Sequence, residues 1–307
     1  MGLLRLGLAI TAFSPLSFGA GTPLPKEVLV LNSFSDPRIY DPLKALKAAI
    51  RGHFQGPVNF QVEYLESQRF EDPGYQQSLS DAFGHVYAGK HLDAVVAVSY
   101  PALEFALAHR NKIFPGIPIV FSDVHPGRLQ DLKLPPYVTG VTEIVDVRGS
   151  LELAFRLNPD TKDVALVAGT TEFERYWLRV FHKEFAPFRD KADIIDLVGL
   201  PADQLITQVS KLPPQTVVFF QVSQQFSEQP VIDVFDAITL ISQRVPTYCI
   251  FSGYCMDHGG IGGSYPDSTV LSAHTADLVA RILSGENAGN IPVVHDSGSH
   301  AEVDWRQ

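Results

Sequence analysis

The sequence predicts an α/β fold built from two doubly wound parallel-sheet lobes. Short apolar runs alternate with amphipathic stretches from Glu27 onward, and this alternation occurs in two successive series. Runs of about four to six apolar residues are typical of strands that helices cover on both faces of a sheet. The 307 residues are enough for one large domain or for two lobes of about 100–150 residues each, so both series fit in the chain.

In the first series, four apolar runs predict strands, namely Val28–Leu31, Ala94–Val98, Ile117–Phe121 and Val138–Val141. The helix after the first run is expected to begin at Asp41-Pro42, because aspartate is a good N-cap acceptor and proline suits the first helical position. Another helix opens at Pro101, and the helix after the fourth run ends at Asn158-Pro159.

The second series repeats the scheme with four more strand-like runs, namely Val164–Ala168, Ile194–Val198, Val217–Phe220 and Tyr248–Phe251. Helices are expected with an aromatic face between Phe173 and Phe185, after Pro201, and over Val231–Ile241. The last strand-like run leads into the glycine-rich stretch Gly259–Gly263, and a final helix starts near Ser268.

Polar and aromatic residues follow the predicted strands, and these positions give the candidate site. Doubly wound sheets bind ligands beyond the carboxyl ends of their strands. The expected ligand-binding residues are Ser33, Phe34, Ser35, Ser99, Tyr100, Ser122, Asp123, Thr142, Thr170, Thr171, Phe173, Gln221, Ser223, Ser252, Tyr254 and Asp257. The alternative is that they are helix caps, a role that some of them fill in any case.

The composition argues against two classes of protein. Twenty-four Lys and Arg against 34 Asp and Glu give a formal charge of −10, which repels phosphate backbones, and no local basic patch offsets it. No apolar run reaches the roughly 18–20 uncharged residues of a spanning helix. Nucleic-acid binding and a polytopic membrane protein are therefore not expected.

Reactive motifs are also missing. The sequence has no GxSxG, HExxH or GxxxxGKS/T pattern, no CxxC, and no Cys/His cluster with zinc spacing. The Gly259–Gly263 run lacks the GxGxxG spacing of a dinucleotide site, and His258 beside Asp257 is more typical of a polar loop than of a catalytic centre. No catalytic residue, metal or cofactor is therefore expected.

The first 25 residues have the order of a signal peptide or an N-terminal anchor. Arg5 precedes an apolar stretch over Leu6–Phe18, and the small residues Gly19–Gly21 offer a cleavage zone. A frayed apolar N-terminus or a buried first strand is the alternative. Export would allow Cys249 and Cys255 to pair, but Cys249 lies in an apolar run where buried thiols are common, which favours two separate thiols.

Several segments also carry a family resemblance. Three of them are Val28-Leu-Val-Leu-Asn-Ser33, Phe114-Pro-Gly-Ile-Pro-Ile-Val-Phe121 and Leu157-Asn-Pro-Asp-Thr-Lys-Asp-Val164, and four more are Glu174-Arg-Tyr-Trp177, Glu184-Phe-Ala-Pro-Phe188, Gly259-Gly-Ile-Gly-Gly263 and Asp304-Trp-Arg-Gln307. The first three resemble the ABC-transporter substrate-binding-like family of type I periplasmic-binding folds. The last four look like the extracytoplasmic sensor regions of bacterial histidine kinases. The similarity covers roughly residues 26 to 307.

This resemblance implies a two-lobed clamp with a hinge. The first lobe would comprise residues 26–143 plus 266–288, and the second residues 144–265 plus 289–307. Crossovers near Thr142–Asp146 and Ser264–Pro266 would form the hinge, and closure would bury a ligand between the lobes.

The expected function is an exported small-solute-binding module without enzymatic activity. It would serve as the sensory domain of a two-component histidine kinase or as a transporter substrate-binding protein, in the periplasm or on the extracytoplasmic face of the inner membrane. Any kinase activity would lie in a downstream part outside this chain. No Arg or Lys is evident at a strand end, so a small neutral or zwitterionic polar solute with an apolar part is expected.

The alternative is an α/β hydrolase that acts on a small polar substrate between the lobes. It would use Asp123, Glu143 or Asp257. A pair of carboxyl groups with a raised pKa in the cleft would favour it.

Overall fold

The computed structural model describes residues 24–35, 43–67, 69–221, 233–251, 253–295 and 298–307. The expected signal segment lies outside these residues except for Leu24 and Pro25, and so do the expected helix start at Asp41-Pro42, Val231, Ser223 and Ser252. Among the described helices, none is both long and apolar enough to cross a membrane.

The first sheet has six strands, β1 (Lys26–Asn32), β2 (Val58–Tyr64), β3 (Ala94–Val98), β4 (Ile119–Val124), β5 (Val138–Thr142) and β11 (Val294–His295). Their order is β11-β5-β4-β3-β1-β2, and all neighbours run parallel. The four strands predicted from apolar runs are confirmed, and β2 and β11 are additions at the two edges.

Four helices cover this sheet, α1 (Leu43–His53), α2 (Pro73–Val86), α3 (Tyr100–Ile113) and α8 (Ser268–Leu283). Alternate β1 residues point to opposite faces, so Val28 and Val30 pack with α1 and α8, while Leu29 and Leu31 pack with α2 and α3. We call the sheet with these four helices the first lobe.

The second sheet also has six strands, β6 (Asp163–Ala168), β7 (Asp193–Val198), β8 (Thr216–Phe220), β9 (Thr247–Cys249), β10 (Gly262–Pro266) and β12 (Ser299–Val303). Their order is β12-β10-β9-β8-β6-β7. The neighbours run parallel except for β12, which is antiparallel to β10. The prediction of a second parallel sheet is confirmed, but β10 and the antiparallel edge strand β12 were not predicted.

Four helices cover the second sheet, α4 (Val147–Leu157), α5 (Glu172–Phe185), α6 (Ala202–Val209) and α7 (Val234–Ser242). Helices α4 and α5 pack on one face, where Phe181 and Phe219 are fully buried, and α6 and α7 pack on the other. This sheet and its helices form the second lobe. The aromatic face predicted for α5 is confirmed, since Trp177, Phe181 and Phe185 are its buried aromatics.

In the part of the chain that the structure describes, the connections after β5, β10 and β11 pass from one lobe to the other. The Asp146 carboxylate joins all three connections. It accepts the backbone N–H of Gly149 at 2.9 Å, the Ser264 hydroxyl at 2.7 Å and the Ser299 hydroxyl at 3.2 Å. Ser299 follows the third connection, which the sequence analysis did not anticipate.

That third connection corrects the expected lobe boundary. Residues 289–307 do not all belong to the second lobe, because Val294 of β11 pairs with Val141 of β5 in the first sheet. Ala288 and Ile291 are buried in the same core as α1 and α8. Since burial of this apolar segment completes the first core, only the part from β12 onward joins the second lobe.

The two cysteines also differ from expectation. Cys249 and Cys255 form a disulfide, so the preference for two separate thiols was wrong. The 3₁₀ segment Gly253–His258 turns back against β9 and brings the two Cα atoms to 6.1 Å, which is within the range of disulfides. Burial of Cys249 therefore does not prevent pairing, because its partner is buried beside it.

Candidate functional site

Polar residues line the carboxyl edge of the first sheet. Ser33 follows β1, Ser99 follows β3, Asp123 lies near the end of β4, and Thr142 ends β5. These four strands are neighbours in the sheet, so the structure brings the four residues to one edge.

Some of these hydroxyls already have partners inside the first lobe. Ser33 is fully buried, donates to the carbonyl of Val98 at 2.8 Å and accepts the backbone N–H of Ala102 at 3.0 Å. The Ser122 hydroxyl lies 2.8 Å from the Thr275 hydroxyl of α8. Thr142 is likewise buried, with its hydroxyl 3.0 Å from Nδ1 of His295. The hydrogen bonds of these three side chains therefore stabilise the carboxyl edge of the first sheet.

Backbone strain is concentrated at the same edge. Ser99 has a φ of 69°, Asp123 a φ of 58°, and Glu66, just after β2, a φ of 51°. Non-glycine residues rarely adopt this left-handed region, and such strain gathers at functional sites. The pairing of β4 with β5 shifts register between Phe121 and Val124, so the strained Asp123 sits in a bulge.

Asp123 belongs to a pair of carboxyl groups. It hydrogen-bonds the side chain of Glu143, which follows β5, and its Oδ2 accepts the Ser99 hydroxyl at 2.6 Å. Burial raises the pKa of Asp123, and the hydrogen bonds from Glu143 and Ser99 partly oppose this rise. Two carboxyl groups can hydrogen-bond each other only when at least one of them carries a proton, so the two groups together hold at most one negative charge.

The second lobe contributes the N-terminus of α5. Thr171 caps this helix by accepting the backbone N–H of Glu174, and the Glu174 carboxylate accepts the backbone N–H of Thr171 at 2.9 Å. Gln221, which follows β8, donates to the Glu174 carbonyl at 3.1 Å. Its own Oε1 is buried without a hydrogen-bond partner in the described part of the chain. Thr170, one residue before the cap, is exposed.

Aromatic rings connect the two lobes. Phe34, which follows β1, meets Phe173 of α5 edge-to-face at 5.3 Å between ring centroids. Phe173 also contacts Trp177 at 6.3 Å and Phe251 at 5.9 Å. From the first lobe, His125 contacts Trp177 at 5.0 Å. These rings offer stacking area for an apolar part of a ligand.

Arg128 links the two lobes by an ion pair, and the sequence analysis missed it. It lies in the 3₁₀ turn Pro126–Arg128 after β4 and forms a two-pronged ion pair with Glu172 of α5, at 2.8 and 2.9 Å. Its guanidinium also lies 4.7 Å from the ring centroid of Tyr100 and 3.7 Å from that of Tyr176. The expectation that no cation stands near a strand end was therefore wrong, although Glu172 neutralises this one.

His125 is held neutral at the same junction. Its Nδ1 lies 2.6 Å from the Tyr176 hydroxyl of the second lobe. Burial lowers the pKa of His125 to about 4, with a further contribution from the positive charges of Lys183 and Arg128. The ring accepts or donates hydrogen bonds near neutral pH without adding charge.

Three further expected residues have surroundings of other kinds. Ser35 is exposed. Tyr254 donates to the carbonyl of Phe220 at 3.1 Å and packs against Phe235 of α7. The Asp257 side chain is 90% exposed and lies 3.5 Å from Arg306 near the C-terminus. Asp257 is therefore not brought together with Asp123 and Glu143.

The glycine run serves packing between strands. Gly262 has a φ of 143°, and a Cβ atom there would collide with the backbone of β12 at Glu302. A Cβ on Gly260 would meet Cys255. These glycines let β12 and the disulfide approach closely, which explains the run without an anion-binding role.

Comparisons with known proteins place the fold. No family model matches the chain, and no curated protein matches it significantly. Among solved structures, the ABC domain in complex with L-Trp from Streptococcus pneumonia aligns with a TM-score of 0.69 at 15% identity, over 92% of this chain and 93% of that one.

Two further solved structures align with this chain over a similar length. The ligand-free, open structure of CD0873, a substrate binding protein with adhesive properties from Clostridium difficile, has a TM-score of 0.65 at 17% identity, with 92% of each chain covered. An ABC transporter solute binding protein from Bacillus halodurans C-125 with bound myo-inositol has a TM-score of 0.57 at 11% identity, over 92% of this chain and 96% of that one. The chain therefore has the type I periplasmic-binding fold predicted from the sequence.

Proposed function

We propose that this protein is a small-solute-binding module that closes on its ligand between the two lobes. The observation that carries the proposal is the meeting of the two carboxyl edges through Phe34–Phe173 and Arg128–Glu172. In doubly wound sheets these edges are where ligands bind. The ligand would lie between the strained edge of the first lobe and the N-terminus of α5.

The solved structures of the same fold support a small polar solute. One is in complex with L-Trp and another holds myo-inositol. Between the lobes this chain offers hydroxyls, an amide, a carboxyl pair and aromatic rings, which suit a neutral or zwitterionic solute with an apolar part.

An extracytoplasmic location is part of the proposal. The Cys249–Cys255 disulfide is expected to persist in an oxidising compartment such as the periplasm. The order of charge, apolar residues and small residues in the first 25 positions supports export to it. Sequencing the N-terminus of exported protein would test this, and an intact Met1 would contradict a cleaved signal.

A membrane-bound partner would use the closed form. We propose that this partner is either a histidine kinase, for which the chain is the sensory domain, or a transporter, for which it is the substrate-binding protein. The segments Glu174–Trp177 and Asp304–Gln307 support the first role, and the substrate-binding proteins among the solved structures support the second. Reading the gene downstream for a membrane helix and kinase motifs would separate the two roles.

The hydrolase alternative is not supported. The carboxyl pair that would favour it is present in Asp123 and Glu143, but Asp257 lies elsewhere. Two of the solved structures compared above are described as a substrate binding protein and a solute binding protein, and the third is in complex with L-Trp.

The binding function can be tested on protein purified from a periplasm. Native mass spectrometry should detect a co-purified small molecule, and adding a ligand back to stripped protein should raise the thermal midpoint. A free ligand at a hundred times its dissociation constant stabilises by about 2.7 kcal/mol. Small-angle scattering should show a smaller radius with ligand. If amino acids, aromatic acids, sugars and phosphorylated compounds all leave the midpoint unchanged, the proposal is contradicted.

A further inference from the structure

We propose that the outer edge of strand β12 (Ser299–Val303) is the surface through which two copies of this chain pair as a symmetric dimer. The two β12 strands would run antiparallel across a two-fold axis at Ala301, and the second sheets of both copies would form one continuous sheet. This surface uses none of the residues placed at the proposed ligand site, so the inference does not depend on that function.

The first argument is the position of β12 at the end of its sheet. Among the described strands it pairs only with β10, and all five of its residues are exposed. An edge strand is a template for a further strand, and many proteins block such edges with a proline, a lysine or a bulge. Strand β12 contains neither residue, and its pairing with β10 is regular. Its outer edge is therefore open to a further strand.

The second argument is the direction of the backbone groups. On the side of β10, the Asp304 N–H donates to the carbonyl of Ile261 at 2.8 Å, and the Gly298 carbonyl accepts the N–H of Asp267 at 3.2 Å. Neighbouring residues of a strand alternate in the direction of their N–H and C=O groups. The even-numbered residues of β12 therefore face β10, and the odd-numbered residues face outward.

This alternation selects one register for a second copy. With the axis at Ala301, Ala301 lies opposite itself, and Ser299 of each copy lies opposite Val303 of the other. All three residues direct their N–H and C=O groups outward, so each of these pairs is a hydrogen-bonded pair of an antiparallel ladder. Moving the axis by one residue would leave an outward-facing end of β12 without a β12 partner. The register at Ala301 thus uses the whole edge.

The third argument is charge. The same register places His300 of each copy opposite Glu302 of the other, in non-hydrogen-bonded pairs whose side chains lie closest. An imidazole N–H can donate to a carboxylate, and opposite charges across a strand pair stabilise it. In the described part of the chain, neither side chain has another hydrogen bond or ion pair. The strand is therefore complementary to its own copy.

The other described edge strands lack this complementarity. Strand β7 carries Asp193 and Asp196 without a basic residue, and β2 carries Glu63 without one. Strand β11 has only two residues. Self-pairing of β7 or β2 would add negative charges without a positive partner, so β12 is the edge that suits a second copy.

The interface would be small. Val303 is 47% exposed and Trp305, two residues further on, is 89% exposed, so both add apolar area beside the paired strands. Pairing of two short strands still buries less than a standard interface. We therefore expect a weak dimer, with a dissociation constant of about 10–500 µM.

The test is sedimentation of the purified full chain from about 1 µM to about 1 mM protein, a range that brackets the affinity expected of so small an interface. The average mass should rise from that of one chain toward that of two. Ala301→Pro should abolish this rise, because it removes an outward N–H at a position where an edge strand tolerates proline. The thermal midpoint of the variant checks that it still folds.

Charge variants test the register. Glu302→Lys should weaken the dimer at least about fivefold, because both symmetry-related pairs change. The double variant H300E/E302K exchanges the two charges and should restore the dimer. Asp190→Lys makes the same change of charge at an exposed residue away from β12 and should leave the dimer unchanged.

Cysteine variants locate the axis. Ala301→Cys should give a cross-linked dimer in dissolved oxygen, because Cα atoms of a hydrogen-bonded pair lie about 5.5 Å apart, within reach of a disulfide. Val303→Cys is the matched control on the same strand, since its two copies would lie about 14 Å apart. Cys249 and Cys255 are already joined to each other.

Two results would overturn the inference. One is a chain that stays monomeric over the whole concentration range. The other is a dimer that the folded Ala301→Pro and Glu302→Lys variants form as tightly as the wild type, since its interface would then lie elsewhere.

Discussion

Gly140 has only a hydrogen atom as its side chain, and this allows β4 and β5 to lie close together. Gly140 pairs with Phe121 in the register of these strands, and a Cβ atom at Gly140 would collide with the Phe121 ring and its carbonyl oxygen. Phe121 is fully buried, so neither group has room to move. Because the bulge at Asp123 follows directly, this close approach also supports the candidate site.

We expect Gly140→Ala to destabilise the protein by about 1–3 kcal/mol, because overpacking forces shifts in a close-packed core. Thermal or urea unfolding measures the change. Gly52→Ala is the matched control, since nothing lies within 4 Å of a Cβ atom at that helical position. It should leave stability unchanged or raise it slightly. Equal losses in both variants would contradict this explanation.

At the residue scale, the sequence located strand ends but not side-chain partners. Ser99 and Asp123 were expected at the carboxyl edge because they follow apolar runs. The internal partners of Ser122 and Thr142 come from Thr275 and His295, about half the chain away, so no local pattern reveals them. Arg128 was missed for a similar reason, since its partners Glu172 and Tyr176 belong to the other lobe.

At the scale of elements, the turn after β4 and the start of α5 act as a clasp between the lobes. Arg128, Glu172 and Tyr176 form it, and the Arg128 side chain is only 12% exposed. Burial of a guanidinium between rings protects its ion pair from solvent screening on that side. We therefore expect the clasp to favour the proposed closed arrangement even without a ligand.

We expect Glu172→Gln to lower the closed fraction of ligand-free protein about two- to fivefold, because the ion pair with Arg128 is lost. The effect is small because a half-exposed ion pair contributes little free energy. Fluorescence transfer between dyes on the two lobes measures it. Glu286→Gln is the control, since Glu286 forms a similar two-pronged pair with Arg281 inside the first lobe. A closed fraction that falls as much in the control would refute the clasp.

Strands could be predicted from the sequence where both of their faces are buried, because such strands are continuous apolar runs. Strands β3 and β8 are fully buried and were read directly from apolar runs. Strand β2 escaped because it is a half-exposed edge strand with polar residues at several positions, and β12 escaped because all five of its residues are exposed. Edge strands carry little apolar signal, so their presence follows only from the neighbours they pair with.

At the scale of the whole molecule, we expect His125 to make the proposed closure of the lobes depend on pH. Its pKa is about 4 in the closed arrangement, against an ordinary value of 6.5. When the lobes separate, the ring leaves Tyr176 and Trp177 and its pKa returns toward that ordinary value. The open form then binds the proton more tightly, so closure is unaffected above about pH 6.5 and weakens as the pH falls toward 4.

We expect the closed fraction of ligand-free protein to fall between pH 7.5 and pH 5, as measured by fluorescence transfer or scattering radius. His125→Gln should reduce this dependence because glutamine does not titrate. His53→Gln is the control, since His53 is an exposed residue of α1 that contacts only its own helix in the interactions described. A pH dependence that survives in the His125 variant would contradict this prediction.

The three passages of the chain between the lobes also determine the order in which a ribosome can complete them. The first sheet begins with β1, but the helix α8 and the strand β11 that complete its core leave the ribosome only after the whole run from α4 to β10. Helix α1 covers only part of the apolar face that includes Val28 and Val30, so the part that α8 covers stays exposed while most of the second lobe is synthesised. Exposed apolar surface of this kind promotes aggregation during synthesis, so the nascent chain is expected to need a chaperone on its first lobe until α8 emerges.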